Sequence, residues 1–142
     1  MRNVSQILEG KASRVVSVGR DAPVLEAIRL MAEHHIGALL VMRGADLVGI
    51  ASERDYARKV ILQGRSSSDT PVQQIMSSPV IGVSPTDTAQ TCMEIMTSRR
   101  IRHLPVLDGG RVVGMVSIGD LVKAVIEDQQ EEIQQLQHYI SM

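Results

Sequence analysis

An internal repeat constrains this chain more than any other feature. Displaced by 65 positions, residues 18–61 align with residues 83–126 without a gap. Identical pairs include Met31/Met96, Gly49/Gly114, Ser52/Ser117 and Asp55/Asp120. Further upstream, residues 4–8 match residues 72–76 at an offset of 68, so the first copy carries about three extra residues near positions 11–14. The chain is therefore expected to fold from two copies of one supersecondary unit.

The sequence pattern of each copy predicts a short leading helix followed by the order β-α-β-β-α. Apolar residues recur at helical spacing, as in Val24, Ile28 and Met31. Glycine-containing turns at residues 43–46 and 108–111 separate two β-rich runs in each copy and predict hairpins. The predicted strands are residues 15–18, 38–42 and 47–51 in the first copy and 80–83, 103–107 and 112–116 in the second.

One copy is too small for a robust hydrophobic core, so the two copies are expected to share one. We therefore predict an α/β fold in which the two β-α-β-β-α repeats pack sheet to sheet with pseudo-two-fold symmetry. The predicted boundaries are residues 1–63 for the first repeat, 64–71 for a polar linker, 72–127 for the second repeat and 128–142 for a C-terminal amphipathic helix.

Composition argues against several classes of protein. Lys and Arg total 15 and Asp and Glu total 16, and the chain has no Phe and no Trp. It lacks both the positive charge and the aromatic platforms that nucleic-acid binding commonly uses, so nucleic acid is not expected as a partner. The single Cys92 excludes an intramolecular disulfide. With no apolar run of signal-peptide or membrane-span type, we expect a soluble cytoplasmic protein with no membrane contact.

The motif Gly-x-x-Ser-x-x-Asp occurs twice, at residues 49–55 and 114–120. In each copy it joins a predicted strand to a predicted helix. A helix N-terminus favours phosphate, the Ser hydroxyl adds a donor, and the Asp carboxylate can accept hydrogen bonds from both hydroxyls of a ribose. A second interpretation needs no ligand, because Ser-x-x-Asp is close to a helix-capping box and duplication copies a cap equally well.

The repeated motif, the run Arg-His-Leu-Pro-Val at residues 102–106 and the paired β-α-β-β-α units resemble a tandem cystathionine-β-synthase-domain (CBS-domain) protein, or Bateman module, of the stand-alone two-repeat type. The resemblance covers nearly the whole chain. It implies a regulatory module, not an enzyme, that binds an adenosine ligand between its repeats. AMP is the first candidate, and ADP, ATP, NAD and S-adenosylmethionine are the alternatives.

The resemblance also implies two crossed sites. One combines residues of the first copy with the helix start of the second: Val16, Ile36, Gly37 and Ala38 with Ser117 and Asp120. The other combines residues of the second copy with the helix start of the first: Ile81, Arg102 and His103 with Ser52, Arg54 and Asp55. Only the latter gathers basic side chains, so it is expected to prefer a polyanionic phosphate chain.

No nucleophile, base and orienting residue form a recognisable motif, and no cluster has metal-ligand spacing. The sequence therefore predicts neither catalytic residues nor metal ligands. Cys92 lies on an apolar helix face and is expected to be a buried structural thiol. Asp55 and Asp120 occupy matched positions, which suits two binding sites better than one acid–base pair. A small nucleotide-dependent enzyme and a nucleic-acid-binding adaptor stay open as alternatives.

The C-terminal residues carry an apolar stripe at spacings of seven, three and four: Ile126, Ile133, Leu136 and Ile140. Such a stripe is typical of a coiled coil but is too short to be stable alone. It either packs on its own domain or contacts a second copy, and we favour the homodimer. Since no effector domain is recognisable in this sequence, an effector protein of unknown identity is the expected further partner.

Overall fold

The computed structural model describes residues 2–11 and 15–142 and divides into two compact units. The first-repeat unit contains residues 15–81, and the second-repeat unit contains residues 2–11 and 82–142. The extra residues predicted near positions 11–14 lie largely outside the described part. In chain order the elements are α1 (Val4–Glu9), β1 (Ser17–Gly19), α2 (Val24–His34), β2 (Ala38–Arg43), β3 (Asp46–Ser52), α3 (Glu53–Tyr56), a π-helical turn (Ala57–Ile61), a 3-10 turn (Val72–Gln74), α4 (Ala89–Arg99), β4 (His103–Asp108), β5 (Arg111–Ser117) and α5 (Ile118–Ser141).

The first-repeat unit is built on a three-stranded sheet. Strand β2 lies in its centre, parallel to β1 and antiparallel to β3. Residues 38–41 of β2 are all buried, which explains why this strand reads as a continuous apolar run rather than an alternating one. The helix α2 closes the core with the apolar positions that its spacing predicted. The largest fully buried side chains of this unit are Met31, Leu39, Leu40, Ile75, Val24, Val41, Val60 and Val72.

In the second-repeat unit the hairpin β4–β5 repeats β2–β3, but the strand predicted at residues 80–83 is wrong. Within those residues only Val83 makes a bridge, parallel to Val106. The cause is visible in the aligned positions. Leu40 donates its N–H to the Val16 carbonyl in the first-repeat unit at 3.0 Å. Its equivalent is Pro105, which has no N–H to donate, so the matching ladder cannot extend.

Both predicted hairpin turns form. Each uses a glycine with positive φ, 61° at Gly44 and 59° at Gly109, a conformation that costs glycine little. Ser52 and Ser117 are the N-caps of α3 and α5, as the sequence predicted. The first strand is shorter than expected, since β1 begins at Ser17, and the leading helix predicted at residues 72–76 is a 3-10 turn over Val72–Gln74.

The leading segments are exchanged between the units. The leading segment of the first repeat packs in the second-repeat unit, where the Val4 N–H donates to the Asp87 carbonyl at 2.8 Å. In the first-repeat unit, the Val72 N–H donates to the Ala22 carbonyl, also at 2.8 Å. These two bonds join equivalent residues of the two copies. The boundaries predicted from sequence therefore mark the repeats, whereas each compact unit takes its leading segment from the other copy.

The helix α5 runs without a break from Ile118 to Ser141, so the C-terminal segment predicted at residues 128–142 continues the last helix of the second repeat. Leu121 and Ala124 are its buried residues. The apolar side chains further along are exposed, with Ile133 at 53% and Ile140 at 81%. The interpretation in which this stripe packs on its own domain is therefore wrong. Cys92 is buried, as expected. Among the described residues, no helix has the length and apolar character needed to span a membrane.

Candidate functional site

Each unit contains one complete capping box where its hairpin runs into the following helix. Asp55 donates its N–H to the Ser52 hydroxyl at 3.1 Å, and the Ser52 N–H donates to the Asp55 carboxylate at 3.0 Å. The corresponding distances between Asp120 and Ser117 are 3.2 and 2.8 Å. The capping interpretation is therefore realised in both copies. Bonds within the protein hold each carboxylate in place, which is the geometry that a preorganised binding group requires.

The backbone at these two helix starts offers a phosphate fewer free N–H groups than the sequence suggested. The Glu53 N–H donates to the Gly37 carbonyl at 3.0 Å, and the Ile118 N–H donates to the Arg102 carbonyl at 2.9 Å. The N–H of each Asp is already bonded to its serine. Two of the first N–H groups of each helix thus have protein partners, so a phosphate group would depend on cationic side chains more than on the helix terminus.

The glycine of the motif serves packing. A Cβ on Gly114 would lie 2.7 Å from Leu8 Cδ2, and a Cβ on Gly49 would lie 2.8 Å from Met76 Cγ. Leu8 and Met76 are equivalent residues of the two leading segments. Both glycines therefore occupy equivalent environments and let a leading segment lie directly on the sheet. The sequence motif therefore joins a packing position to the serine and aspartate of the capping box. The match between residues 4–8 and residues 72–76 was the signal that could have revealed the packing role.

In the first-repeat unit the Asp55 carboxylate is paired with a lysine from the π-helical turn that directly follows α3. Lys59 Nζ lies 3.3 Å from Asp55 Oδ1 and donates to the Ile75 carbonyl at 2.9 Å. The Asp55 side chain is 15% exposed and that of Lys59 is 39% exposed. Ala38 pairs with Ser52 in the sheet register, so this side of the site presents little beyond backbone.

In the second-repeat unit the lysine comes from the leading segment. Lys11 Nζ lies 2.8 Å from Asp120 Oδ2 and donates to the Met115 carbonyl at 2.7 Å. Burial raises the pKa of Asp120, but the hydrogen bonds from Lys11 and Ser117 outweigh it, and the pKa ends below the ordinary value of 3.8. Ala124 stands at the position equivalent to Lys59. Sequence reasoning missed both lysines, although Lys59 lies four residues after Asp55 and was visible as an ion-pair spacing.

His103 gives the second site its distinct character. It pairs with Ser117 in the sheet register, where the first site has Ala38 opposite Ser52. Burial lowers the pKa of the His103 imidazole, the positive charges of Lys11 and Arg102 lower it further, and Asp120 opposes them. A neutral imidazole therefore lies beside a paired carboxylate and lysine, and an incoming anion would favour its protonation.

The structure thus brings the predicted site residues into two groups. The first-repeat unit holds Gly37, Ala38, Ser52 and Asp55 together, and the second-repeat unit holds Arg102, His103, Ser117 and Asp120 together. In the first-repeat unit Val16, Ile36 and Ile81 are partly buried and Arg54 is exposed. The crossed combination of the two groups stays a prediction.

No group of three or more His, Cys, Asp or Glu side chains among the described residues has an arrangement that could hold a metal ion. Cys92 lies on α4, and burial raises the pKa of its thiol to about 11. A thiol with so high a pKa is a poor nucleophile at neutral pH. The side chains of the two groups can offer hydrogen bonds and charge to a ligand.

A model of the CBS domain matches residues 4–61 and again residues 72–127. The chain belongs to the CBS-domain family. A solved CBS-domain protein from Burkholderia ambifaria, described as a signal-transduction protein with CBS domains, is 53% identical with a TM-score of 0.87, covering 90% of this chain and 96% of that one. The CBS-domain fold, with two small sheets and their helices, is thereby established for this chain.

Two further CBS-domain proteins are similar to this chain. The Arabidopsis thaliana protein CBSX3, described as mitochondrial, is 45% identical over 84% of this chain, and this chain spans 61% of its length. The CBS-domain protein PAE2072 from Pyrobaculum aerophilum was solved in complex with AMP; it is 28% identical with a TM-score of 0.74, covering 84% of this chain and 89% of that chain.

Proposed function

We propose that this CBS-domain pair is a regulatory module that binds an adenine nucleotide, with AMP as the first candidate and ADP, ATP and NAD as alternatives. One observation carries the proposal: a capping box holds a carboxylate at the same position in both repeats, with Asp55 and Asp120 each fixed by the backbone N–H of its serine. The AMP bound by the relative from Pyrobaculum aerophilum supports the ligand class.

In this proposal Asp55 and Asp120 each accept hydrogen bonds from a ribose, while the serine holds the carboxylate in place. The charge around the two groups differs. Arg102, His103 and Lys11 gather in the second-repeat unit, and such side chains favour phosphate. The adenine ring would contact aliphatic side chains and backbone, since the chain has neither Phe nor Trp.

The module is proposed to sense the ligand without converting it. A ligand that binds one conformation better than another shifts the equilibrium between them, and a partner protein can detect the shift. A homodimer, an effector protein on another chain and a cytoplasmic location belong to this proposal. The description of the Burkholderia ambifaria relative as a signal-transduction protein supports the regulatory role.

A thermal-shift screen with AMP, ADP, ATP, NAD and S-adenosylmethionine on ligand-free protein tests the proposal. A ligand present at 100 times its dissociation constant should stabilise the fold by roughly 2.7 kcal/mol. For a chain of this size that corresponds to a shift of several degrees. If no ligand moves the melting temperature and calorimetry shows no heat, the nucleotide-sensing proposal fails while the fold assignment stands.

The same protein distinguishes the alternatives. Turnover of ATP, AMP or NAD that rises with protein concentration would indicate a nucleotide-dependent enzyme. Salt-dependent binding to RNA or DNA would indicate a nucleic-acid-binding adaptor. Mass spectrometry of ligand retained by native protein would identify the adenosine compound directly.

A further inference from the structure

We infer that the exposed face of α5 is the contact through which two copies of this chain associate, as a parallel and in-register helix pair. This inference rests on the homodimer of the proposed function and identifies its contact surface. It does not depend on nucleotide binding. We call the surface the α5 seam. Its members are Val122, Ile126, Gln129, Ile133, Leu136 and Ile140.

The α5 seam faces away from the unit that carries it. With about 3.6 residues per turn, its members lie roughly half a turn around the helix from the buried Ala124. Its apolar side chains are exposed along about 30 Å of helix. Their exposed fractions are 45% for Val122, 48% for Ile126, 53% for Ile133, 61% for Leu136 and 81% for Ile140. A continuous stripe of this kind on a helix is an unpartnered packing surface.

The residues of the seam fit a two-stranded coiled coil. With Ile126 at position a of a heptad, Ile133 and Ile140 also fall at a, and Leu136 falls at d. In parallel coiled coils, isoleucine at a with leucine at d favours two strands. A second copy of this chain is therefore the occupant that the pattern itself specifies.

The charges of the helix lie outside the seam. The acidic residues at positions b, c and f are held on the other side of α5 by Arg2, which pairs with Glu127, lies 3.2 Å from Asp128 and lies 3.0 Å from Glu131. The seam itself carries no charged side chain. Two copies can therefore bring their seams together without opposing like charges, although the tail as a whole is acidic.

The position of Gln129 indicates whether the two α5 helices run parallel or antiparallel. In a parallel, in-register pair Gln129 meets Gln129 of the second copy, and the two amides can hydrogen-bond to each other. In the antiparallel register that overlaps the whole seam, Gln129 would lie against Ile133 and lose its polar partner. The same register would bring the two Glu132 carboxylates close together. Both effects favour the parallel pair.

The first experiment uses the full chain and a charge-matched control. Sedimentation velocity compares the wild type, Ile133→Glu/Leu136→Glu, and the control Gln134→Glu/Ser141→Glu, which adds the same charge to another face of the helix. We expect a wild-type dimer, a dimer dissociation constant raised about tenfold or more by the seam variant, and no change in the control. All three proteins should keep the wild-type circular-dichroism spectrum and a cooperative unfolding transition, which shows that the units stay folded.

An unchanged dimer in the seam variant would overturn the α5 seam while leaving the homodimer of the proposed function intact. A monomeric wild type at the highest concentration tested would overturn both. Neither result bears on nucleotide binding, which the thermal-shift screen measures separately.

The second experiment tests direction. Ile126→Cys and Ile140→Cys should each give a disulfide-linked dimer on mild oxidation, because a parallel pair brings equal a positions together. Gln134→Cys is the control and should stay unlinked, and the native Cys92 is buried. Failure of both a-position variants to link would overturn the parallel register.

Discussion

The two capping boxes share one scaffold but differ in charge. Asp55 and Asp120 are held by the same capping bonds. Asp55 pairs with Lys59 of the π-helical turn that follows α3, whereas Asp120 pairs with Lys11 of the leading segment. Beside them stand Ala38 in one unit and His103 in the other. The two copies thus share the bonds that fix the strand-to-helix turn and differ in the charged side chains beside it.

The largest expected effect tests what the two units share. Gly114→Ala and Gly49→Ala should each lower the free energy of unfolding by about 1–3 kcal/mol, because the new methyl group overlaps Leu8 or Met76. Urea denaturation measures both. The Leu8→Ala change should recover part of the loss in Gly114→Ala but none in Gly49→Ala. Recovery in both, or in neither, would contradict the equivalent packing of the two leading segments.

A smaller loss of stability is expected when either of the two paired lysines is replaced. Lys11→Met should destabilise the fold by about 1 kcal/mol, since it removes a close partner from a carboxylate that is 22% exposed. Lys59→Met should cost less, since the distance from Lys59 Nζ to Asp55 is longer and Lys59 is more exposed. Urea denaturation at neutral pH ranks the two variants, and equal losses would remove this difference between the units.

The pH dependence of stability tests the contribution of Lys11 further. The pKa of Asp120 is depressed in the folded state, so its contribution to stability is present above 3.8 and is lost as the pH falls through the lower folded pKa. The advantage of the wild type over Lys11→Met should therefore shrink in acid well below pH 3.8. An advantage that persists there would show that Lys11 acts through packing and not through the Asp120 charge.

The smallest expected effect concerns His103, which has no counterpart in the first-repeat unit. Its pKa in the folded state is below the ordinary 6.5, so the unfolded chain takes up the proton first as the pH falls. The contribution of His103 to stability should be complete above pH 6.5 and decline below it. Stability measured across this range should fall more in the wild type than in His103→Gln, and parallel curves would show that the imidazole titrates as it does in the unfolded chain.

Much of the fold could be predicted because each element occurs once in each copy, so its sequence pattern could be checked twice. The hairpins, the helix α2 and the serine caps follow from local residue chemistry, and each was visible twice. The strand at residues 80–83 failed because the parallel ladder depends on a donor far along the chain. That donor is missing at Pro105, and the alignment of Pro105 with Leu40 would have shown it.

The candidate site was less predictable than the fold. The motif identified Ser52, Asp55 and their equivalents, whose bonds are local. It did not reveal Lys11, because the contact with Asp120 depends on a leading segment that packs in the unit of the other copy. It also gave no role to Gly49 and Gly114, and the close approach of Met76 and Leu8 explains them. Long-range packing, which no short motif encodes, accounts for each of these differences.

Calorimetric titration of AMP into ligand-free wild type, Asp55→Ala, Asp120→Ala and the double variant tests the central claim most directly. We predict saturable binding to the wild type, loss of a different part of that binding in each single variant, and no binding in the double variant. Each variant should keep the cooperative unfolding of a folded protein. No heat with the wild type, or wild-type binding by a folded double variant, would contradict the claim that these two capped carboxylates bind the ligand.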